Sequence, residues 1–415
     1  MKKKSSLLVT AAALVVLAAA LPARAGQHTW SGAYNGYWAN PLNWSSGGVP
    51  QPNESNVSLV FPVNATRFWS TNDMAGISVK SINFQADNYH LLGYGLSFLN
   101  NGIGLSLLCS GANCEIQMPI ELTSPALGIT VGASSDLMIS GFISGTGGFS
   151  KYGPGTLRIN GAPGNTFAGA TTVADGALIL KAQATWDNDR SAALGGPLNI
   201  GSADMTRHPI VYFDNSDQLD PNAPVTIQPN GLLDLHGYDG AVGPLSLTGG
   251  SIHLSGLTYY DYYTSIRRGS LVVSQTLTSA PNALASSSIT GGATFLLGTS
   301  NAPNTVVHVA AGGDLLVEGD FGCGTPPYDP YTRGVNWNKT GTGNLSLTGT
   351  GSDAETSGRG NIKEGTVTAA SSAVRFRDLV SVETGAQLII NAAIESYGPI
   401  RLNGFGTNGF EHVNE

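Results

Sequence analysis

Charged side chains are scarce in this sequence. They make up 12% of the 415 residues, about half of the ~25% that is usual in soluble globular domains. This scarcity argues against an enzyme built of helices, because exposed helical faces carry many Lys, Glu and Arg residues. A disordered chain is also disfavoured, since 41% of the residues are hydrophobic and the mean hydropathy is +0.03, whereas disordered chains combine low hydrophobicity with high net charge.

Long hydrophobic runs are confined to the first 25 residues. Lysines at positions 2–4 precede an apolar stretch from Leu7 to Leu21, and Ala23-Arg24-Ala25 supplies the small residues that signal peptidase requires. This arrangement predicts a bacterial-type secretory signal that is cleaved before Gly26, and therefore an exported protein, secreted or at the cell surface. The alternative is an uncleaved membrane anchor, although the run is short for a span, which needs ~20 residues. No transmembrane segment is expected in the mature chain.

Clusters of basic residues are also missing. Removal of the signal would leave 16 basic and 28 acidic residues, a net charge of −12. Nucleic-acid binders display clustered Lys and Arg that neutralise phosphates, and the nearest feature here is the pair Arg267-Arg268. No nucleic-acid partner is expected.

Cysteine is rare, with three residues in the chain, which argues against a fold that depends on disulfides. Cys109 and Cys114 are separated by Ser-Gly-Ala-Asn, so they could close a turn as a disulfide or remain two free thiols. Cys323 is left over. Because no second C-x-x-C motif or neighbouring histidine pair accompanies any of the three, no zinc site is expected.

Glycine, in contrast, is abundant, with 55 residues, and the apolar residues alternate with a period of two. Pairs of alternating runs are separated by turns that contain glycine. This pattern predicts strands of three to five residues with one buried face, joined at corners where glycine adopts positive φ. The clearest runs are Ile129–Val131, Leu137–Ile139, Val225–Ile227, Leu233–Leu235, Val307–Val309, Leu315–Val317, Val380–Val382 and Leu388–Ile390.

A unit of this size cannot form a core alone and must stack on its neighbours. Two all-β arrangements compete. Antiparallel sandwiches need two-residue hairpin turns, whereas a parallel β-helix needs corners without a hairpin register. Since hairpin dipeptides are few, the sequence predicts an all-β right-handed parallel β-helix, a solenoid with ~20 residues in each coil.

Two segments carry a longer repeat. Gly148–Gly161, with the sequence GFSKYGPGTLRING, is followed by Thr171–Leu178; Lys339–Gly349 and Ile362–Val367 match these segments at offsets of 188 and 189 residues. Both copies, over about residues 145–180 and 335–369, resemble the autotransporter-associated β-strand repeat. Such repeats occur in bacterial secreted and surface proteins, especially the β-helical passengers of autotransporters.

The resemblance extends over most of residues 28–410. It includes an aromatic opening at Trp30, Trp38 and Trp44, and coils such as Ala193–Ile200. It implies a signal peptide at 1–25, an aromatic-rich opening with the first coils at 26–120, and a β-helix over 121–415. The function that it implies is a non-enzymatic stalk or adhesin-like protein that contacts other cell surfaces or extracellular polysaccharide. The alternative is a β-helix that binds or cleaves polysaccharides.

The end of the chain continues the strand pattern, at Ile400–Gly404 and then Phe410–Val413. A solenoid normally caps its last coil, because an open end exposes unpaired backbone and apolar side chains. The sequence is therefore expected to be the N-terminal part of a longer protein.

Inside the repeat, Leu157 and Ile159 are predicted to point into the core and Arg158 to face solvent. Lys151 and Lys339 stand at the same place in the two copies. They are predicted to be solvated side chains at a corner, in preference to functional groups.

Catalytic and metal-binding residues are not indicated, and no cofactor is expected. Carboxylates are scattered along the chain, and the best cluster is Asp234, His236 and Asp239, of which the first two are predicted to share one face of a strand. Ordinary outward-facing residues explain this cluster better than catalysis. The acidic stretch Asp214–Asp220 offers oxygen ligands but lacks the glycine and terminal glutamate of a calcium-binding loop.

Two tyrosine-rich segments are candidates for ligand binding, because exposed tyrosine beside arginine can stack on sugars or contact proteins. The second is the Pro-rich insertion Cys323–Arg333. The alternative for the first segment is a strand in which tyrosine alternates, with two of the rings covering the adjacent coil. The candidate residues of the first segment are Tyr259, Tyr260, Tyr262, Tyr263 and Arg267.

Overall fold

The computed structural model describes residues 26–99, 105–123, 127–161, 164–182, 192–260, 263–296, 304–322, 336–349, 354–391 and 394–403. The predicted signal peptide, the Pro-rich insertion with Cys323, and the last predicted strand at Phe410–Val413 lie outside the described residues. Over the described part, the structure is nearly all β, and its only helical element is the 3-10 turn Pro41–Asn43.

The strands stack as a parallel solenoid. Each strand pairs with the equivalent strand of the next coil, so that Val225, Leu245 and Leu277 are direct neighbours although they are 20 and 32 residues apart in sequence. The described pairs are parallel except at two places: Gln27–Trp30 with Trp44–Ser46, and Ser255–Tyr260 with Tyr263–Arg268. The predicted all-β solenoid is confirmed, with coils longer on average than ~20 residues; its right-handed winding stays a prediction.

Two large sheets and one small sheet contain all the described strands. The first sheet consists of Gln27–Trp30, Trp44–Ser46, Val57–Phe61, Ile77–Phe84, Leu96–Phe98, Leu105–Cys109, Ile120–Leu122, Leu127–Val131, Ile143–Ser144, Phe149–Tyr152, Thr171–Val173, Leu198–Ile200, Val225–Ile227, Leu245–Leu247, Thr276–Ser279, Asn304–Val309, Asn336–Thr340, Arg359–Ile362, Val380–Val382 and Ile400–Leu402.

The second large sheet contains the other strands of the coils. It consists of Trp69–Asn72, His90–Gly93, Cys114–Ile116, Asp136–Ile139, Thr156–Ile159, Ala177–Leu180, Ile210–Phe213, Leu232–Asp234, Gly240–Val242, Ser251–His253, Ser270–Val273, Ser287–Leu296, Asp314–Gly322, Asn344–Thr348, Ala354–Ser357, Thr366–Ala369, Val374–Phe376, Gln387–Ile390 and Glu395–Ser396. The small sheet is the pair Ser255–Tyr260 and Tyr263–Arg268.

The core is one continuous column of inward side chains, produced by the period-two alternation. Leu157 and Ile159 are buried, and Arg158 lies outside the core and pairs with Asp136, as the sequence predicts. The coils continue without interruption across residue 120, because the strand Ile120–Leu122 pairs on both sides. The predicted run Leu388–Ile390 differs from the others, since Ile390 is 44% exposed in the last described coils.

The aromatic opening of the sequence closes the N-terminal end of this core. Trp30, Trp38 and Trp44 are buried, and the rings of Trp30 and Trp38 both pack edge-on against Trp44, with centroids 5.3 and 5.8 Å away. Each indole N–H has an acceptor: the Arg67 carbonyl, the Ser70 hydroxyl and the Trp38 carbonyl, respectively. The three tryptophans are therefore structural and are not available to a ligand.

Glycines stack on one another at one corner of the repeat. A β-carbon on Gly155 would overlap the carbonyl oxygen of Gly132 in the preceding coil, and one on Gly176 would lie 2.5 Å from the carbonyl oxygen of Gly153. The corner therefore needs glycine for close approach of the backbones of successive coils, in addition to the positive φ of 65° at Gly176.

Gly155→Ala is expected to lower the free energy of unfolding by about 2 kcal/mol, because the two coils must move apart locally. Gly128→Ala is the matched control, since its new β-carbon would lie at ordinary contact distance, 3.5 Å from the Leu105 carbonyl oxygen. Urea unfolding of both variants measures the difference. Equal midpoints for the two variants would show that the corner tolerates a side chain.

Candidate functional site

The first tyrosine-rich segment forms a hairpin that is separate from the coils. Tyr260 pairs with Tyr263, and Gly256 pairs with Arg267, in a two-stranded sheet of its own. The hairpin is inserted between the coil strands Ser251–His253 and Ser270–Val273.

The hairpin contains most of the candidate residues of this segment. Tyr259, Tyr260, Tyr263 and Arg267 all lie on the hairpin, and Tyr262 lies outside the described residues. The tyrosines lie in strands, as this alternative requires, but in a hairpin of their own; that their rings cover the adjacent coil stays a prediction. Ligand binding by the hairpin stays a prediction.

Cys109 and Cys114 lie on either side of a corner, and both are buried free thiols. The Cys109 thiol donates to the carbonyl oxygen of Gly111 at 3.2 Å, and the Cys114 thiol to that of Ala86 at 3.3 Å. A hydrogen bond with Cys114, together with burial, raises the pKa of Cys109 above its ordinary value. The predicted disulfide is thus absent from the structure, which contains the alternative, two adjacent thiols.

Asp234, His236 and Asp239 do not form a cluster. The strand ends at Asp234, whose carboxylate accepts the backbone N–H of His236 at 2.8 Å, and His236 follows in a turn with φ of 49°. The prediction that these two residues share one face of a strand is therefore wrong. Asp239 accepts hydrogen bonds from the backbone and the hydroxyl of Ser270, so these carboxylates organise turns.

The acidic stretch is used in the same way. The Asp214 carboxylate accepts from the Lys181 ammonium at 2.8 Å, and the Asp220 carboxylate from the backbone N–H of Asn222. Over the described ranges, no group of three or more His, Cys, Asp or Glu side chains could hold a metal ion.

The repeated lysines occupy core positions. Lys151 lies between Ile129 and Val173 in the stacked strands, where an aliphatic residue would be expected. Its side chain is fully buried. The prediction of a solvated lysine at a corner is therefore wrong for Lys151, because the side chain follows the inward alternation of its strand and only its amino group reaches the corner.

Lys339 repeats this arrangement in the second copy. It lies between Val307 and Ile362 and is also fully buried. In both copies the amino group donates to three carbonyl oxygens, two of the turn that follows and one of the next coil. The acceptors are Tyr152, Gly153 and Asp175, at 3.2, 2.6 and 2.9 Å, for Lys151, and Thr340, Gly341 and Glu364, at 3.1, 2.6 and 3.0 Å, for Lys339.

All three N–H donors of each ammonium therefore have an acceptor, and each lysine joins two successive coils. Burial lowers the pKa of Lys151 to about 8, against the opposing effect of the Asp175 carboxylate. Burial likewise lowers the pKa of Lys339 to about 8, against the effect of Glu364. The two sites are structural, and neither amine is exposed to a ligand.

A surface that the sequence analysis did not identify lies on the outer face of the first coils. We call Tyr37, Trp69, His90, Tyr94 and Glu115 the Trp69 platform. Three of its rings are more than half exposed: Tyr37 (52%), Trp69 (57%) and Tyr94 (59%).

The platform follows the register of the second sheet. Trp69, His90 and Glu115 are direct neighbours in three successive parallel strands. Tyr37 forms a bridge with Thr71, two residues from Trp69 on the same face, which is within reach of aromatic side chains in a sheet. The backbone N–H of Tyr94 donates to the carbonyl oxygen of Asn72, whose side chain returns a hydrogen bond to the Tyr94 carbonyl.

Polar contacts fix the centre of the platform. The rings of Trp69 and His90 are stacked, with centroids 4.3 Å apart and planes inclined by 17°. His90 Nδ1 lies 3.2 Å from Glu115 Oε2. The same carboxylate accepts from the Ser140 hydroxyl at 2.5 Å and from the Gln117 amide at 2.7 Å.

The Glu115 carboxylate is consequently ionised. Burial would raise its pKa, but the hydrogen bonds from Ser140, Gln117 and His90 outweigh this effect, and the pKa lies below its ordinary value. An ionised carboxylate requires His90 Nδ1 to carry a proton. The imidazole is thereby held in one orientation beneath the indole of Trp69.

No helix among the residues that the structure describes is both long and apolar enough to cross a membrane. Comparison of the chain with models of known protein families, with curated proteins and with solved structures found no match.

Proposed function

We propose that this protein is a non-enzymatic, exported stalk that carries adhesive surfaces away from the bacterial cell. The observation that carries the proposal is the parallel solenoid itself, whose coils stack from the strand Gln27–Trp30 to the strand Ile400–Leu402. Such a quasi-one-dimensional structure, in which each coil contacts its neighbours, suits an elongated support.

The two repeats support the same proposal. Their resemblance to the autotransporter-associated β-strand repeat implies export and display, and the lysine that they share joins successive coils in both copies. The predicted signal at residues 1–25 implies the same route. The hairpin that carries Tyr259, Tyr260, Tyr263 and Arg267 is a second contact segment in this proposal, because it adds a two-stranded sheet to the two sheets of the coils.

Expression of the full chain in a Gram-negative host tests export. The wild-type protein is expected outside the cytoplasm with Gly26 as its N-terminal residue, measured by fractionation and mass spectrometry of the terminal peptide. Leu14→Arg is the control, because a charge in the apolar stretch should retain the chain in the cytoplasm with its N-terminal segment intact. A wild-type chain that stays in the cytoplasm with residues 1–25 attached would contradict the proposal.

Adhesion is tested with the purified mature chain. Beads coated with it are expected to be retained on a lawn of bacterial cells, whereas beads coated with an unrelated exported protein are washed away. Retention equal to that of the unrelated protein would contradict an adhesive role.

A second candidate function, binding or cleavage of polysaccharides, is favoured by the Trp69 platform. Incubation with a panel of neutral and acidic glycans separates cleavage from binding. A stalk should release no reducing or unsaturated ends, and release of such ends would refute the non-enzymatic proposal.

A further inference from the structure

We infer that the Trp69 platform is a binding site for a neutral polysaccharide, with the exposed face of Trp69 as a stacking surface for a sugar ring. This inference rests on the adhesive function proposed above, and it names the place and the ligand class through which the stalk would attach. It concerns the first coils and is independent of the tyrosine hairpin.

The aromatic part of the site is exposed and held in place. One face of the Trp69 indole rests on His90, so the 57% of this residue that remains exposed includes the opposite face. Tyrosine and tryptophan combine a flat apolar ring with a polar edge and lose little conformational freedom on binding. Because the ring is already stacked on a hydrogen-bonded imidazole, little ordering remains to oppose the binding of a ligand.

The polar part of the site suits hydroxyl groups. Glu115 has two carboxylate oxygens with about four lone-pair positions; three donors bind them, and the 12% of its side chain that is exposed leaves room for at most one further hydroxyl. The Gln117 amide and the Ser140 hydroxyl that bind this carboxylate can donate to and accept from the same ligand. The His90 imidazole, 21% exposed, stacks on the indole between Trp69 and Glu115. A ring surface beside clustered hydrogen-bonding groups is the complement of a sugar, which has apolar C–H faces and a rim of hydroxyls.

Charge and composition favour a neutral glycan over other ligands. An ionised Glu115 in a chain with predicted net charge −12 after signal removal would repel nucleic acids and acidic polysaccharides. Polar residues are the direct neighbours of two of the exposed rings: Thr71 lies beside Tyr37, and His90 lies beside Trp69. This mixture of rings and polar groups suits a hydroxylated ligand better than the apolar centre of a protein interface, where charged residues are depleted.

The arrangement of the site also favours a chain over a single sugar. Trp69, His90 and Glu115 lie on three successive strands, and neighbouring strands are about 4.8 Å apart. The platform therefore runs along the solenoid axis. A linear polysaccharide lying along this axis would contact residues of more than one coil, with one of its sugars on Trp69.

Affinity gel electrophoresis of the purified mature chain tests the inference, with laminarin, xylan, galactomannan and hydroxyethyl cellulose as neutral probes and alginate as the acidic probe. Retardation is expected with at least one neutral probe and not with alginate. Trp69→Ala is expected to weaken that binding by 10-fold or more, and Glu115→Gln by several-fold. Tyr152→Ala is the matched control, because Tyr152 is 45% exposed but lies in the strand Phe149–Tyr152 of the first sheet.

Circular dichroism confirms that each variant keeps its β structure. Unchanged binding by Trp69→Ala, absence of binding to all four neutral probes, or binding to alginate alone would overturn the inference. The results that would overturn this inference differ from those that would overturn the proposed stalk function. Adhesion to cells without glycan binding would support the proposed stalk and contradict glycan binding by the Trp69 platform. Glycan binding through Trp69 by a chain that is not exported would support the platform and contradict the exported stalk.

Discussion

Lys339→Ala is expected to lower the free energy of unfolding by about 4 kcal/mol, because truncation leaves a cavity in the core column and three carbonyl oxygens without a donor. The side chain is fully buried between Val307 and Ile362, and its amino group donates to Thr340, Gly341 and Glu364. Urea unfolding monitored by circular dichroism measures the loss. Hydrogen exchange over residues 336–369 should show that the coils on both sides of Lys339 open first, since the lysine joins them.

Two further variants separate the contributions. Lys339→Met refills the column and removes a buried charge while leaving the carbonyl oxygens unpaired, so it is expected to cost about 1–2 kcal/mol. Lys363→Ala is the control, because Lys363 is exposed and surface substitutions usually change stability by less than about 0.5 kcal/mol. If Lys339→Ala unfolds at the same urea concentration as Lys363→Ala, the lysine does not stabilise the solenoid.

The burial of these two lysines could have been predicted from the spacing of the residues around them, but the low frequency of buried lysine argues against it. Lys151 follows Phe149 by two residues, and Lys339 follows Trp337 by two, so the period-two rule places each lysine on the buried face. Composition argues the other way, because lysine is almost never fully buried without partners. The partners are backbone carbonyl oxygens of a corner and of the next coil, and their convergence is visible only when the coils are stacked.

The sequence analysis did not identify the Trp69 platform, because the strand that carries Trp69 has polar residues at its buried positions and an aromatic residue at an outward position. In Trp69–Asn72 the outward residue is a tryptophan, while the buried positions hold Ser70 and Asn72. Ser70 accepts the indole N–H of Trp38, and the amide of Asn72 donates to the Tyr94 carbonyl. Hydrophobic alternation identifies strands with apolar interiors, and it gives no signal where hydrogen bonds replace apolar packing inside the coil.

The repeated coils themselves were predicted well, because their cause is local. Alternation at Leu157 and Ile159 fixes which side chains enter the core, and close approach at Gly155 fixes the corner. The hairpin was not predicted, since its two strands replace no coil strand and interrupt the repeat. Its register, with Tyr260 opposite Tyr263, places the two tyrosines at the tip, a feature that neither composition nor period indicates.

Stability is expected to rise between pH 8 and pH 10 through the two buried lysines. Burial lowers the pKa of Lys151 and of Lys339 from 10.5 to about 8. Below pH 8 each lysine is protonated in both the folded and the unfolded chain. Between pH 8 and pH 10.5 the unfolded chain binds more protons than the folded chain, so the free energy of unfolding increases with pH.

The magnitude follows from the size of the shifts. One unit of pKa corresponds to about 1.4 kcal/mol, so the rise across the window is on the order of 2 kcal/mol for each lysine. Cys114 acts in the same direction, because its hydrogen bond with Cys109 lowers its pKa, whereas two other groups act in the opposite direction. Burial raises the pKa of Tyr89, and the hydrogen bond with Cys114 raises that of Cys109, so both side chains favour the folded chain less as the pH increases.

A difference between two proteins isolates the lysines from these opposing groups. The double variant Lys151→Met with Lys339→Met retains Tyr89, Cys109 and Cys114 and lacks only the two amines. Urea unfolding of both proteins at intervals from pH 7 to pH 10 should give a stability difference that grows with pH by on the order of 4 kcal/mol in total. A difference that is constant with pH would mean that the three carbonyl oxygens around each amino group stabilise the ammonium enough to cancel the effect of burial, and the lowered pKa values would then be wrong.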